Sequence, residues 1–133
     1  MKKLTQNARF SDKQLFEFVS QLFQVLSLPK QKANVVARIL VEADLLGHVT
    51  HGLQLCPSYL KELEAGTMEA SGEHEVIKDS GVVAVWDGRY LPGCWLTQMA
   101  VEDAIEKAKT FGTGILVMRR SHHIGCLASY LEA

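Results

Sequence analysis

Thr113-Gly114-Ile115-Leu116-Val117-Met118 decides the fold class of this chain, because a short, almost wholly apolar run bounded by glycine is the mark of a buried strand in an α/β sheet. Just before it, Leu96, Met99, Ala100, Ala104, Ala108 and Phe111 recur on one helical face that closes at Gly112. A second apolar run, Val82-Val83-Ala84-Val85-Trp86, lies ahead of that helix. Strand, helix, strand over 82–118 predicts one βαβ unit with a right-handed crossover. Glu75 to Lys78 precedes it across Asp79-Ser80-Gly81, so a β-hairpin is expected in front of the unit. Trp86-Asp87-Gly88-Arg89 then reads as a strand end and turn.

Further upstream the period changes from that of strands to that of helices. Ser11 followed by Gln14 has capping-box spacing, and Leu15, Phe16, Val19, Leu22, Phe23 and Leu26 form one apolar stripe behind it. Pro29 stands where a first-turn proline is tolerated, and Val35, Val36, Ile39, Leu40, Ala43 and Leu46 mark a second helix ending near Gly47. The two should pack as a hairpin. A third helix carrying Leu53, Leu60 and Leu63 is expected to be short or kinked at Pro57 and to close at Gly66. Residues 1–10 are expected to be a flexible tail, 11–66 a helical section and 67–133 a mixed α/β section, with the polar stretch from Thr67 to Gly72 as the boundary.

The 133 residues, 47% apolar and 22% charged, suit one soluble domain large enough for a core without disulfides. Fourteen Lys and Arg against fifteen Asp and Glu form no basic stripe, which argues against nucleic acid as a partner. Apolar runs fall far short of the roughly 18 residues a membrane helix needs. Met1-Lys2-Lys3 is followed by polar residues, not an apolar segment, so a secretory signal is not indicated and a cytoplasmic location is expected. Cys56, Cys94 and Cys126 form no CxxC pair, as in a reducing compartment.

Four of the five histidines fall in two loops, His48 and His51 in one and His122 and His123 in the other. Imidazole suits proton transfer near neutral pH. Ser121-His122-His123-Ile124-Gly125 follows the carboxyl end of a strand, where ligands bind in open α/β sheets. A loop histidine is nevertheless more often a surface or capping residue than a catalyst. His74 reads as a surface residue, and Glu42 and Asp44 as the solvated face of a helix. A zinc site built from the four loop histidines lacks a recognised ligand spacing, so no metal is expected. GxGxxG and GxxxxGK[ST] are absent, which leaves a Rossmann domain or P-loop unsupported.

Glu42-Ala43-Asp44-Leu45-Leu46-Gly47-His48-Val49-Thr50-His51-Gly52, then Pro57-Ser58-Tyr59, and later Ser121-His122-His123-Ile124-Gly125 together resemble the malate/L-lactate dehydrogenase family. This is the second, non-Rossmann type, which includes ureidoglycolate and sulfolactate dehydrogenases. The resemblance implies NAD- or NADP-dependent interconversion of a small 2-hydroxy acid and its 2-oxo acid, and a homodimer. By the same resemblance His51 is the acid/base on the substrate oxygen, with Thr50 in the place of a neighbouring serine. His123 matches the histidine of the second motif and is carried over as catalytic. His122, Ile124 and Gly125 are carried over to the cofactor, and His48 to the substrate. Many members hold the substrate carboxylate with an arginine where this chain has Leu55; a subset with the Pro-Ser-Tyr continuation also lacks it.

Ile124 to Ala133 reads as the first turns of an amphipathic helix, with Leu127 and Leu131 at i and i+4, that stops without a cap. Because family members are more than twice as long, the chain is expected to be the amino-terminal part of such an enzyme, incomplete as a fold and weakly active or inactive alone. The alternative is a non-catalytic dimerisation or interaction remnant of the family.

Overall fold

The capping box at Ser11 does start the first helix. In the computed structural model, which describes residues 8–131, α1 runs Asp12–Val25. Ser11 Oγ accepts from Gln14 N–H at 3.2 Å while Gln14 Oε1 accepts from Ser11 N–H at 3.0 Å, an arrangement whose capping bond is worth about 1 kcal/mol. α2 runs Lys30–Leu45, and Pro29 caps it from outside. Val19 and Phe23 of α1 meet Val36, Ile39 and Leu40 of α2 in the main core, and Ser20 Oγ donates to Asn34 Oδ1 across the helix pair at 2.6 Å. Residues 1–7 of the expected tail, and 132–133 of the expected last helix, lie outside the described residues.

Two short 3-10 turns, Val49–His51 and Leu53–Leu55, lead into α3 at Cys56–Glu64. Pro57 occupies the first turn of α3, where its missing N–H has no intrahelical acceptor to lose, so it starts this helix and does not kink it. Tyr59 and Leu63, one turn apart, add the inward face of α3 to the main core.

The hairpin pairs β1 (Glu75–Asp79) with β2 (Val83–Asp87) in antiparallel register, with an irregularity between Val76 and Lys78. α4 runs Gly93–Phe111 and crosses over to β3 (Ile115–Arg119), which pairs parallel with β2 from Val83↔Ile115 to Asp87↔Arg119. The βαβ unit is therefore present, in a three-stranded sheet ordered β1-β2-β3. β3 departs from the expectation of a strand buried on both faces. Leu116 and Met118 pack with Ala84, Trp86 and Ala100 under α4, whereas Ile115 and Val117 on the opposite face are about half exposed. One helix covers one face of a sheet.

The expected helix from Ile124 does not form. The chain is irregular to Cys126 and makes a single 3-10 turn over Leu127–Tyr130. Gly125 has φ +70°, a left-handed conformation that interrupts a right-handed helix, and the Ile124 carbonyl accepts from Tyr130 Oη instead of a helical N–H. α2 and α4 join the helices to the sheet through Val35, Leu91, Trp95 and Leu96, with Arg38 donating to Gln98 Oε1 at 2.7 Å. Among the described residues no helix is long and apolar enough to cross a membrane.

Candidate functional site

The loop after α2 is held by Asp44, which was expected to face solvent. Its Oδ2 accepts from Leu53 N–H at 3.4 Å, and the carboxylate packs so closely on Gly52 that a Cβ there would stand 1.9 Å from Asp44 Oδ1. Only glycine fits. This contact sets the turn that presents Thr50 and His51, whose Oγ1 and Nδ1 lie 3.0 Å apart.

The second loop follows β3 and is held from three sides. Gly93, at the start of α4, presses on its backbone, so that a Cβ at 93 would stand 2.1 Å from the His122 carbonyl oxygen and 2.4 Å from that of His123. His122 turns toward α3, with Nδ1 2.9 Å from Glu62 Oε2 and Nε2 2.7 Å from the Thr67 carbonyl oxygen. Its side chain is thereby a strut between the two sections. The third restraint is Tyr59: its Oη lies 2.8 Å from His123 Nδ1 and 3.3 Å from the His123 carbonyl oxygen, and Gly125 N–H donates to the same Nδ1 at 3.1 Å.

These restraints bring the His51 and His123 rings to a centroid separation of 5.6 Å, inclined at 37°. His48, His51, Gly125, Cys126, Leu127 and Ala128 line a cavity of about 310 Å³ beside them, at the small end of ligand sites. Of the residues singled out in the sequence, Thr50, His51, His123, Gly125 and His48 thus cluster. Ile124 is half-buried next to them, and the His122 ring is engaged elsewhere. Leu55, at the position where an arginine was sought, packs against the main core. Among the described residues no group of three or more His, Cys, Asp or Glu side chains stands where it could hold a metal ion.

His74 is not the surface residue expected. It stacks on Trp86 with ring centroids 3.9 Å apart, on the α4 side of the sheet and away from the histidine pair. Burial pushes its imidazole below the usual histidine value, and Lys32 adds to the shift, while Glu73 and Asp103 oppose it. Burial likewise pushes the Cys94 thiol up to about 11 and the Tyr59 phenol far up, with Cys94 adding to the latter. Neither is an anion near neutral pH.

Sequence reasoning missed three groups. Tyr59 and Glu62 hold the second loop from α3. Asp87, fully buried at the end of β2, accepts from Arg119 Nε at 2.8 Å, from Arg120 Nε at 2.8 and 2.9 Å, from Arg120 Nη2 at 2.5 Å and from Arg89 N–H at 3.0 Å. The Arg120 guanidinium, more than the others, holds that carboxyl well below the usual range. Arg89, Tyr90 and Arg120 all have φ near +50 to +60°, so strained backbone collects around this ion pair just before the second loop. The parallel register Asp87↔Arg119 was the signal that would have found it.

A family model described as malate/L-lactate dehydrogenase matches residues 10–133. A malate/(S)-sulfolactate dehydrogenase of Methanothermus fervidus is 32% identical over 114 residues, covering 86% of this chain and 34% of that protein. A hydroxycarboxylate dehydrogenase B of Escherichia coli is 30% identical over 124 residues, covering 93% and 34%. The solved malate dehydrogenase of Pyrococcus horikoshii superposes with a TM-score of 0.89 at 30% identity, over 98% of this chain and 38% of that one. The chain spans about a third of the length of the relatives it matches.

Proposed function

The chain belongs to the malate/L-lactate dehydrogenase family, and from that premise we propose that it carries the proton-handling side of a nicotinamide-dependent site interconverting a small 2-hydroxy acid and its 2-oxo acid. One observation carries the reading: the His51 and His123 rings, from separate loops, stand 5.6 Å apart beside a cavity that His51 and His48 line. Oxidation of a secondary alcohol needs a group to take the hydroxyl proton. His51 fills that role. Its Nδ1 is tethered to Thr50 Oγ1, and Nε2 has no protein partner among the described residues, which leaves it to take the proton on oxidation and return it on reduction. His123 is the second group on the substrate oxygen. His48, in the cavity wall, is the residue we assign to the substrate carboxylate, since Leu55 is spent on the core.

A nicotinamide cofactor, NAD or NADP, supplies the hydride acceptor or donor when bound. The apolar stretch Cys126-Leu127-Ala128, in the same cavity as His48 and His51, would suit the flat face of the nicotinamide ring. Ile124 and Gly125 lead into that stretch, and His122 anchors it through α3. We also read the protein as cytoplasmic, in keeping with its three free cysteines, and as a homodimer, in keeping with the exposed Phe18, Val25 and Leu45 on its helices.

The test is to follow oxidation of NADH and NADPH on adding oxaloacetate, pyruvate or sulfopyruvate, for the protein and for His51→Ala. Oxidation that depends on a 2-oxo acid and falls at least about 100-fold in His51→Ala is the expected result. Oxidation indifferent to His51, or no engagement of either cofactor or acid, would overturn the proposal.

A further inference from the structure

We propose that Tyr59 is a positioning residue: together with the Gly125 N–H it fixes the His123 ring in the Nε2–H tautomer, so that His123 meets the substrate oxygen as a hydrogen-bond donor and leaves proton exchange to His51. The functional half of this statement rests on the dehydrogenase reading; the tautomer does not.

Gly125 fixes the role of Nδ1. A backbone N–H can only donate, and that of the buried Gly125 is aimed at Nδ1 of the exposed His123 at 3.1 Å. Nδ1 must therefore offer its lone pair, and a neutral ring then carries its proton on Nε2. Tyr59 reinforces the choice. Its Oη faces two groups, Nδ1 at 2.8 Å and the His123 carbonyl oxygen at 3.3 Å. The phenol has a single hydrogen, and of these two acceptors Nδ1 is the nearer; a hydrogen given to the carbonyl instead would leave Oη able to accept from Nδ1–H, so it is the Gly125 N–H that decides between the two. The opposite tautomer would set Nδ1–H against the Gly125 N–H and deprive that buried amide of its ring acceptor, which is costly.

The phenol is suited to this work. Tyr59 is only 3% exposed, and its burial keeps the hydroxyl protonated, a permanent donor. It is also rigidly placed, because α3 packs this side chain into the main core beside Leu63. The other groups near the phenol are the Gly125 N–H, the Cys94 Sγ, 3.9 Å away and itself a protonated thiol, and Glu62, which is turned to His122. Two imidazoles side by side are thus made unequal. One has its Nδ1 beside the Thr50 hydroxyl, and the other has an Nδ1 that accepts from the Gly125 N–H with Tyr59 Oη against it.

Long-range ¹H–¹⁵N correlation spectra of the histidine rings, in mildly alkaline buffer, read the tautomer directly. His123 is expected to show an unprotonated Nδ1 and a protonated Nε2, with a through-hydrogen-bond coupling between the Gly125 amide and Nδ1. Tyr59→Phe, which removes one oxygen, should lower the Nε2–H to Nδ1–H ratio about five-fold while leaving amide shifts remote from the loop in place. A dominant Nδ1–H form in the unmodified protein, an absent Gly125 coupling, or an unchanged ratio in Tyr59→Phe would each overturn the proposal. The first two need no variant, so failure of Tyr59→Phe to fold would not shield it. Failure to bind cofactor or acid would sink the dehydrogenase reading and leave these spectra as expected.

Discussion

Asp87 and Arg120 meet where β2 and β3 end side by side, the buried carboxylate accepting from both Nε and Nη2 of the guanidinium, and the loop bearing His122 and His123 begins at the next residue. The pair therefore anchors the start of the candidate site.

Asp87→Asn keeps the shape and removes the charge, leaving Arg119 and Arg120 without their anion. The variant should melt at a lower temperature than the parent near neutral pH. Because the folded carboxyl titrates below its ordinary value of 3.8, its contribution is fully present above that value and is lost as pH falls through the depressed one. The gap between parent and variant should accordingly narrow only in strong acid. Thermal melts over a pH series check this, and a gap constant from neutral to acid pH would contradict it.

His74 works in the opposite region of pH. Its ring is stacked on Trp86 and disfavours charge, so the unfolded chain takes up a proton more readily than the folded one. Stability is then full above the ordinary value of 6.5 and falls as pH drops below it. Lys32, Glu73 and Asp103 face the same ring, and their charges modulate the size of the effect. His74→Phe should retain the stacking and flatten the dependence of the melting temperature on pH just below 6.5, measured against the parent in identical buffers.

Gly93→Ala tests the packing of α4 against the second loop. The added methyl would fall within 2.4 Å of two carbonyl oxygens, those of His122 and His123, so either α4 or the loop must move. A loss of about 2 kcal/mol is expected from overpacking of this kind, together with displaced His123 and Gly125 resonances. A variant as stable as the parent, with those resonances unmoved, would show that the helix and loop do not press on each other.

Much of this was legible in the chain because the signals were local. Ser11 and Gln14 lie within one turn of each other, and the stripe from Leu15 to Leu26 needs no partner to be recognised. The hairpin and the βαβ unit were likewise readable from runs and turns. Errors came where distant partners decide. Pro57 looks like a helix breaker until two preceding 3-10 turns place it at a helix start. Leu127 and Leu131 keep helical spacing, yet Gly125 N–H goes to His123 and the Ile124 carbonyl to Tyr130. Ile115 and Val117 are as apolar as Leu116, so sequence alone does not reveal which face α4 covers. In the site, His51 and His123 stood out through their motifs. Tyr59 and Asp44 stood within the same motifs, but neither they nor Glu62 showed a positioning role, since a polar residue on a helix looks the same whether it meets solvent or a loop folded against it.

The convergence of His51 and His123 on one small-acid site is tested most directly by titrating pyruvate or oxaloacetate, with NADH or NADPH present, into isotope-labelled protein while recording both imidazole rings and the Gly125 amide. The expected result is a saturable shift of all three signals with one shared dissociation constant, abolished for His123 and Gly125 by His51→Ala. Independent shifts of the two histidines, or binding that leaves both unmoved, would contradict a common site.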